Sequence, residues 1–441
     1  MFTTHFFDET DQCHLLREVA YISTKLRVCT AQNLDDFAFI LGELPFAGFG
    51  YMILEGGLTE QVINSLPLWR LQSIRQLGKL FHFAPWQFEN STPMYEPFSH
   101  TRFVHSADVR ALALLIAANN QLDEHSTGLL EFAALTHDIC TPVCSDAVKT
   151  LDQQGFDEDL NYANILQTEK AQALLADLKI SKPEAVDAVQ NERTVEGKIR
   201  DISDKLAYLA RDLKALLERP WPKLRSAFDK IIELADKRRY MLGIWETVRV
   251  RDNDVYIEDP DWLNDLLMLR ALMFKNLYMS PETKFLEHFS IVVFVRCMLK
   301  EGLLTMSDLL QFSDYELEHM IRENFGGQAD PTFVGTHFEM PKRIEIFNSV
   351  ETALTRQREL LNSGVPLVSL DVQPAPKSGT NLLVRTGNKL DEFRKFFPKR
   401  AAEIDAVMRS IPTIKLYYTT ATYKELPRYY QRVADSIRTA G

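Results

Sequence analysis

The side chains best suited to chemistry are histidines and carboxylates placed at the ends of helical stretches. His105 stands in SHTRFVHSADVRALALL, at the entry of an amphipathic stretch, and His137 and Asp138 are adjacent in LLEFAALTHDIC, at the end of an apolar one. A carboxylate at the end of an apolar run is costly to bury without a partner, and a divalent cation is one good partner. Neighbours on a helix diverge by about 100°, yet an imidazole and a shorter carboxylate can converge on an ion beside the axis. Imidazole nitrogens with carboxylate oxygens suit Mn, Fe, Ni, Zn or, less well, Mg. The same residues also fit a satisfied core histidine followed by a polar helix end.

A third segment, DISDKLAYLARDLKALL, supplies a further face. On a helical wheel Leu206, Leu209, Leu213, Leu216 and Leu217 fall in one sector. Asp204, Tyr208, Arg211 and Asp212 fall opposite, with Lys205 at the margin. Such a face is either solvated or the wall of a cavity offering a carboxylate, cations and an aromatic plane.

The elements that must position these groups are mostly helices. Apolar residues recur at three- and four-residue steps over 12–27, 106–120, 128–139, 195–218, 222–236, 260–278, 283–301 and 344–361. Asp259–Pro260 and Ser280–Pro281 place a capping side chain ahead of a first-turn proline. WETVRV, RDND and VYIED predict a β-hairpin within 245–259. After a Pro/Gly/Ser-rich link at 373–380, strands at 365–372, 381–386 and 413–419 around a helix at 389–409 predict a small C-terminal α/β element. The expected fold is therefore mostly α, a helical core with a small hairpin and that C-terminal element. The expected divisions are a helical extension over 1–48, the main helical domain over 49–345 and the C-terminal region over 346–441.

Composition sets the outer limits. The chain has 441 residues, 46% of them hydrophobic, which is ample for a core and excludes global disorder. Sixty-one acidic residues against 50 basic give a formal charge of −11. That excludes a protein built to coat nucleic acid, though not a local basic pocket for a small polyanion. Five scattered cysteines do not make a disulfide framework, and the start MFTTHFFDETDQ has no signal-peptide pattern. The longest apolar attempt, FSIVVFVRCML, is too short to cross a bilayer and carries Arg296. A cytoplasmic protein is expected. Cys140 and Cys144, which bracket Thr-Pro-Val, are expected to be buried thiols.

Five segments occur in an order that resembles the HD-domain metal-dependent phosphohydrolases, and among them the deoxynucleoside triphosphate triphosphohydrolase branch. They are LWRLQSIRQLG (68–78), SHTRFVHS (99–106), LTHD (135–138), SDKLAYLARD (203–212) and LLTMSDLLQFSDYEL (303–317), within a likeness spanning roughly 49–326. The resemblance implies that His105, His137, Asp138 and Asp204 are the four protein ligands of one divalent metal ion. It implies that Arg102 binds the α-phosphate, that Lys205 and Arg270 hold the remaining phosphates, and that Tyr208 packs on the deoxyribose. Gln76 and Asp212 match positions that hydrogen-bond the sugar 3′-hydroxyl, and His100 matches a histidine that supports the site. The implied reaction is attack of water at the α-phosphorus of a nucleotide, giving a nucleoside and tripolyphosphate, in a homo-oligomer.

The chain also departs from that pattern. It reads HDICTPVCSD, so Thr141 and Asp146 stand where the triphosphohydrolases carry histidines, and Glu158 and Asp159 replace a later His-Glu pair. No histidine lies between Asp138 and His288, which counts against the dinuclear HD branches. Asp146, Glu158 and Asp159 are therefore the candidates for proton transfer, since a carboxyl serves where its surroundings raise its pKa. The acidic replacements keep a second enzyme open, a 5′-nucleotidase acting on nucleoside monophosphates. A nucleotide-sensing protein without turnover is the non-enzymatic alternative.

Overall fold

The computed structural model describes residues 58–76, 100–152, 154–156, 158–190, 193–217, 229–231, 233–234, 245–330 and 340–438. The architecture is mostly helical with two small sheets. The helices predicted at 12–27 and, for most of its length, 222–236 lie outside the described residues.

Three helices form the frame of the site. Helix α1 covers Leu58–Ser65, and α2 covers Arg102–Asn119. Helix α2 begins four residues before the predicted start because Thr101 caps it, its side chain accepting from the Val104 amide at 3.3 Å. Arg102 and His105 therefore lie in its first turns. Helix α3, Glu124–Thr136, is capped by Asp123, which accepts from the Ser126 amide at 2.9 Å. It ends so that His137 and Asp138 fall immediately beyond its last turn. Short helices α4 (Asp146–Lys149), α5 (Glu158–Ile165), α6 (Glu169–Asp177) and α7 (Lys182–Gln190) lead to the long α8, Val195–Leu217. Val109, Leu112 and Ile116 of α2, Leu130 and Ala134 of α3, and Ile202, Leu206, Leu209 and Leu213 of α8 share one apolar core. A Leu→Ala change there removes contacts worth about 2–5 kcal/mol. This packing fixes the polar sides of α2 and α8 and the end of α3 against one another.

The predicted hairpin forms as β1 (Val248–Arg251) and β2 (Asp254–Ile257). Its two-residue turn has φ of 57° at Asp252 and 92° at Asn253, a left-handed conformation that Asp and Asn tolerate and that matches strand twist. Helix α9, Pro260–Met273, starts at Asp259, whose carboxylate accepts from the amides of Asp261 and Trp262. The predicted 260–278 helix is not regular to its end: Phe274–Tyr278 widens into a π-helical turn. A second π turn, His288–Val292, separates α10 (Pro281–Glu287) from α11 (Val293–Lys300). Helices α12 (Met306–Gln311) and α13 (Asp314–Phe325) each begin with a reciprocal capping box.

Two helix expectations in the C-terminal third are corrected. Residues predicted to open a helix at 344 belong instead to strand β3, Lys342–Phe347, and the helix α14 is confined to Val350–Asn362. KRIEIF alternates in polarity, and its ladder partner β7 (Ile414–Thr419) outcompetes an isolated helical turn. Ser349 then caps α14, accepting from the Thr352 amide at 3.2 Å. With β4 (Val368–Val372) these strands form a sheet in the order β3-β7-β4. Likewise the helix predicted from 389 begins with a strand. Gly387, at φ 61°, turns β5 (Leu383–Thr386) into β6 (Lys389–Glu392), and β5 adds in parallel to β2. Helix follows as α15 (Phe393–Phe396) and α16 (Pro398–Arg409), the latter with proline in its first turn. Strand β3 runs through position 345 and β5 pairs with β2, so ladders join chain on both sides of the division drawn there. The last helix, α17 (Arg428–Arg438), is tied to the second π turn by Tyr430, whose hydroxyl donates to the Phe289 carbonyl at 2.6 Å.

Candidate metal centre and its pocket

The ends of α2 and α3 and the polar face of α8 meet at His105, His137 and Asp204, each offering one ligand atom within 4.8 Å of the others. His105 Nε2 lies 2.9 Å from Asp204 Oδ1, and His137 Nε2 lies 3.9 Å from the same oxygen. Asp138 Oδ2 is 3.8 Å from His105 Nε2 and 3.7 Å from His137 Nε2. Asp138 is also shared with Arg102, whose Nη1 donates to its two oxygens at 3.2 and 3.0 Å. The tightest group is thus two imidazoles and one carboxylate, with Asp138 beside them.

The histidine chemistry fits a cation. His137 Nδ1 lies 2.9 Å from the Ala134 carbonyl and so carries the proton it donates there. Its Nε2, buried and without a hydrogen-bond partner, is left as a lone pair facing Asp138 and Asp204. Burial lowers the His137 pKa against the pull of those two carboxylates, so the neutral, ligating imidazole is favoured. Metal-binding histidines are commonly oriented by such a carbonyl bond at the other nitrogen. For Asp138, burial acts upward, but Arg102 and then the two histidines hold the carboxyl well below the usual range. Asp204 is likewise held low, by its bond to His105 and by nearby positive charge, against burial.

A cavity of about 310 Å³ opens beside this group. Of the residues singled out from the sequence, Gln76, Arg102, His137, Asp138, Asp146, Glu158, Asp204 and Tyr208 line it. The side chain of Asp159 lies outside the described residues. Lys205, Arg270 and Asp212 do not line the cavity. Lys205 turns back along α8 to pair with Asp201. Arg270 stacks over Phe274 at 4.7 Å, donates from Nε to the Tyr208 hydroxyl at 2.8 Å, and bonds the Lys377 carbonyl. It thus braces Tyr208, whose hydroxyl is pushed up to about 12 by burial.

Other cations, which sequence reading missed, take the pocket wall: Lys149, Arg200 and Lys284. Lys149 reaches Asp146 at 3.2 Å and Glu158 at 2.7 Å, and Lys284 pairs with Glu287 at 2.6 Å. The one available signal was the three-residue spacing of Asp146 and Lys149 on a helix. Lys284 and Glu287 share that spacing, on a helix far from any motif. Thr141 is buried and donates to Glu158 at 2.8 Å, with Asp138 at 3.4 Å, so it links the acidic pair to the metal-side carboxylate. Asp146 stands in the first turn of α4, not at its cap. Desolvation acts upward on its carboxyl, but Lys149, Arg102 and Lys284 hold it well below the usual range, so it is ionised and cannot serve as a proton donor. Glu287 differs: burial raises it, with Lys284 opposing.

Behind Tyr208, the Tyr278 hydroxyl donates to Asp212 Oδ2 at 2.6 Å, and His100 Nε2 lies 3.5 Å from Asp212 Oδ1. Burial pushes the Asp212 carboxyl up to about 7, against the bond from Tyr278. The unfolded chain ionises near the ordinary value, about 3.9. Folded protein therefore binds the extra proton between pH 4 and 7 and loses stability as pH rises through that window. Asp212→Asn is expected to raise the melting temperature, by a margin that grows from pH 4 to pH 7 and then levels off. Its full size is on the order of a few kcal/mol. A margin independent of pH in thermal scans would contradict the burial of this charge.

Cys140 and Cys144 are buried thiols, as expected. Among the described residues no helix is long and apolar enough to cross a membrane.

No family model matches the sequence, and no curated protein does. Two solved structures are among those with a similar fold. One is a hypothetical protein from Aquifex aeolicus, at a TM-score of 0.55 and 18% identity over 87% of this chain and 96% of that one. The other is a phosphohydrolase from Bacteroides thetaiotaomicron VPI-5482, at a TM-score of 0.52 and 14% identity over 86% of this chain and 97% of that one. At these identities the likeness is one of fold.

Proposed function

We propose that the protein is a metal-dependent phosphohydrolase acting on a deoxynucleotide. The observation that carries this reading is the buried, unpartnered Nε2 of His137, fixed by Ala134 and aimed at Asp138 and Asp204 beside the Arg102 guanidinium. The shared fold of the Bacteroides phosphohydrolase supports it. His105, His137 and Asp204, with Asp138 adjoining, would hold one divalent ion. A metal bound there would polarise a phosphate oxygen and lower the pKa of a water molecule. Arg102 commits Nε and Nη1 to Ser145 and Asp138, which leaves the outer part of its guanidinium for a phosphate oxygen. Lys149 and Lys284 bring further positive charge to the pocket, a role the resemblance implied for Lys205 and Arg270. Asp146 and Glu158, both paired with Lys149, remain the candidate carboxylates for proton transfer. Glu287, buried and paired with Lys284 at 2.6 Å, adds a carboxylate to the same wall. Tyr208 and Gln76 line the wall where a sugar would pack.

The five ordered segments favour a deoxynucleoside triphosphate cleaved to deoxynucleoside and tripolyphosphate. A second reading, hydrolysis of a nucleoside 5′-monophosphate, is favoured by one observation: Lys205 and Arg270 are both engaged outside the pocket. Incubation of the metal-loaded protein with deoxynucleoside tri- and monophosphates, with products separated by ion exchange, decides between them. Tripolyphosphate supports the first reading and orthophosphate from a monophosphate the second. A melting-temperature rise with nucleotide but no product from either class would leave a sensor and sink the enzymatic proposal.

A further inference from the structure

Two consecutive non-glycine residues, Cys144 and Ser145, have φ of 53° and 50°, and Ser145 has ψ of −129°. L-residues avoid this region, at a cost of about 1–3 kcal/mol each, so the surroundings must hold the turn in place. They do so from two sides. The Asp314 carboxylate, at the start of α13, accepts from the Cys144 amide at 2.7 Å and from the Arg75 amide at 3.1 Å. Residue 75 is itself fixed by a short antiparallel bridge to Thr101, with Gln76 N bonded to the His100 carbonyl at 3.1 Å and Arg102 N to the Ile74 carbonyl at 2.8 Å. The twisted turn then delivers the buried Ser145 hydroxyl into this frame, where it donates to the Arg75 carbonyl at 2.8 Å and accepts from Arg102 Nε at 3.2 Å.

We infer that Ser145 is a positioning residue, and that the strained turn exists to aim the Arg102 guanidinium across Asp138 into the pocket. The geometry excludes a role as nucleophile, because the hydroxyl proton is given to Arg75 and a lone pair to Arg102. It also accounts for a conformation that no helix cap requires, since the Ser145 side chain makes no capping bond to α4. With Nε tied to Ser145 and Nη1 to Asp138, the guanidinium plane is fixed by two partners on two elements. Removing one leaves it free to rotate about the Asp138 contact. This inference rests on the phosphohydrolase reading only for the kinetic part of its test.

Comparison of Ser145→Ala with Ser145→Gly separates strain from positioning. Both lose the hydroxyl, but glycine is at ease at φ 50° and alanine is not. The Gly variant is expected to melt about 3 °C above the Ala variant. Both are expected to lose about 10-fold in kcat/KM, chiefly through KM, despite their different stabilities. Crystal structures of both are expected to show Arg102 withdrawn from its single orientation on Asp138. A Gly variant no more stable than the Ala variant would overturn the strain. Arg102 unmoved in both crystals, or a kcat/KM that recovers with stability in the Gly variant, would overturn the positioning role. If the wild-type protein turns over no nucleotide, the proposed function fails, while the Arg102 orientation and the melting comparison still decide this inference.

Discussion

Asp204→Ala is expected to abolish retention of a divalent ion and to lower turnover by about 10²–10³-fold or more. Among the described residues, Asp204 is the carboxylate within 4.8 Å of both imidazoles that no lysine or arginine bonds directly, whereas Asp138 is held by Arg102. Without Asp204 the two neutral nitrogens have only that shared carboxylate to complete a ligand set. The metal-free variant should fold, because Asp204 is a partly exposed side chain whose loss opens no apolar cavity. The most direct readout is the rise in melting temperature on adding Mn: present in the wild type, where binding stabilises the native state by mass action, and absent in the variant. Asp201→Ala, one turn earlier on α8 and facing Lys205, is the control that keeps the response. Normal metal content in Asp204→Ala would remove this residue from the ligand set.

The second large effect is expected at Arg102. Arg102→Lys should reduce kcat/KM by about 10²-fold while metal content stays near that of the wild type. Lysine preserves a positive charge next to the buried Asp138, so the variant avoids the roughly 3–5 kcal/mol penalty of an uncompensated buried carboxylate. It cannot bond Asp138 and Ser145 and still present a flat N–H edge to a phosphate oxygen, because an ammonium is a point charge. Steady-state kinetics beside metal analysis separates the outcomes. Retained activity would show that a charge alone suffices. Joint loss of metal and activity would show that Arg102 acts by holding Asp138 in place.

The cluster of imidazoles and carboxylates was legible in part from local signals, while Asp204 entered it only through the resemblance. His105 and Asp204 occupy polar positions on helices whose apolar faces are regular, and His137–Asp138 follow directly on an apolar run. The cationic wall of the pocket was less legible. Lys205 and Arg270 fall in the right helices, but a long side chain covers several ångströms, and the wheel does not say whether it swings to Asp201 or to a cavity. Lys149, Lys284 and Glu287 gave no motif because their meeting depends on α4 and α10 being brought together by the tertiary fold. Strand β3 was mistaken for helix for a related reason. Its partner β7 lies about 70 residues further on, and such pairing is invisible to a local period. Ser145 carried no signal at all: a serine before a short helix suggests a cap, and only the backbone angles show otherwise.

The central claim is that His105, His137 and Asp204 with Asp138 hold a metal on which nucleotide hydrolysis depends. The most direct measurement is product formation from deoxynucleoside tri- and monophosphates in H₂¹⁸O, before and after removal of metal by a chelator and after its return. The account predicts ¹⁸O in the released phosphate or tripolyphosphate, turnover lost with the metal and restored by it, and none of this in Asp204→Ala. Turnover that survives chelation, or that persists in Asp204→Ala, would contradict it.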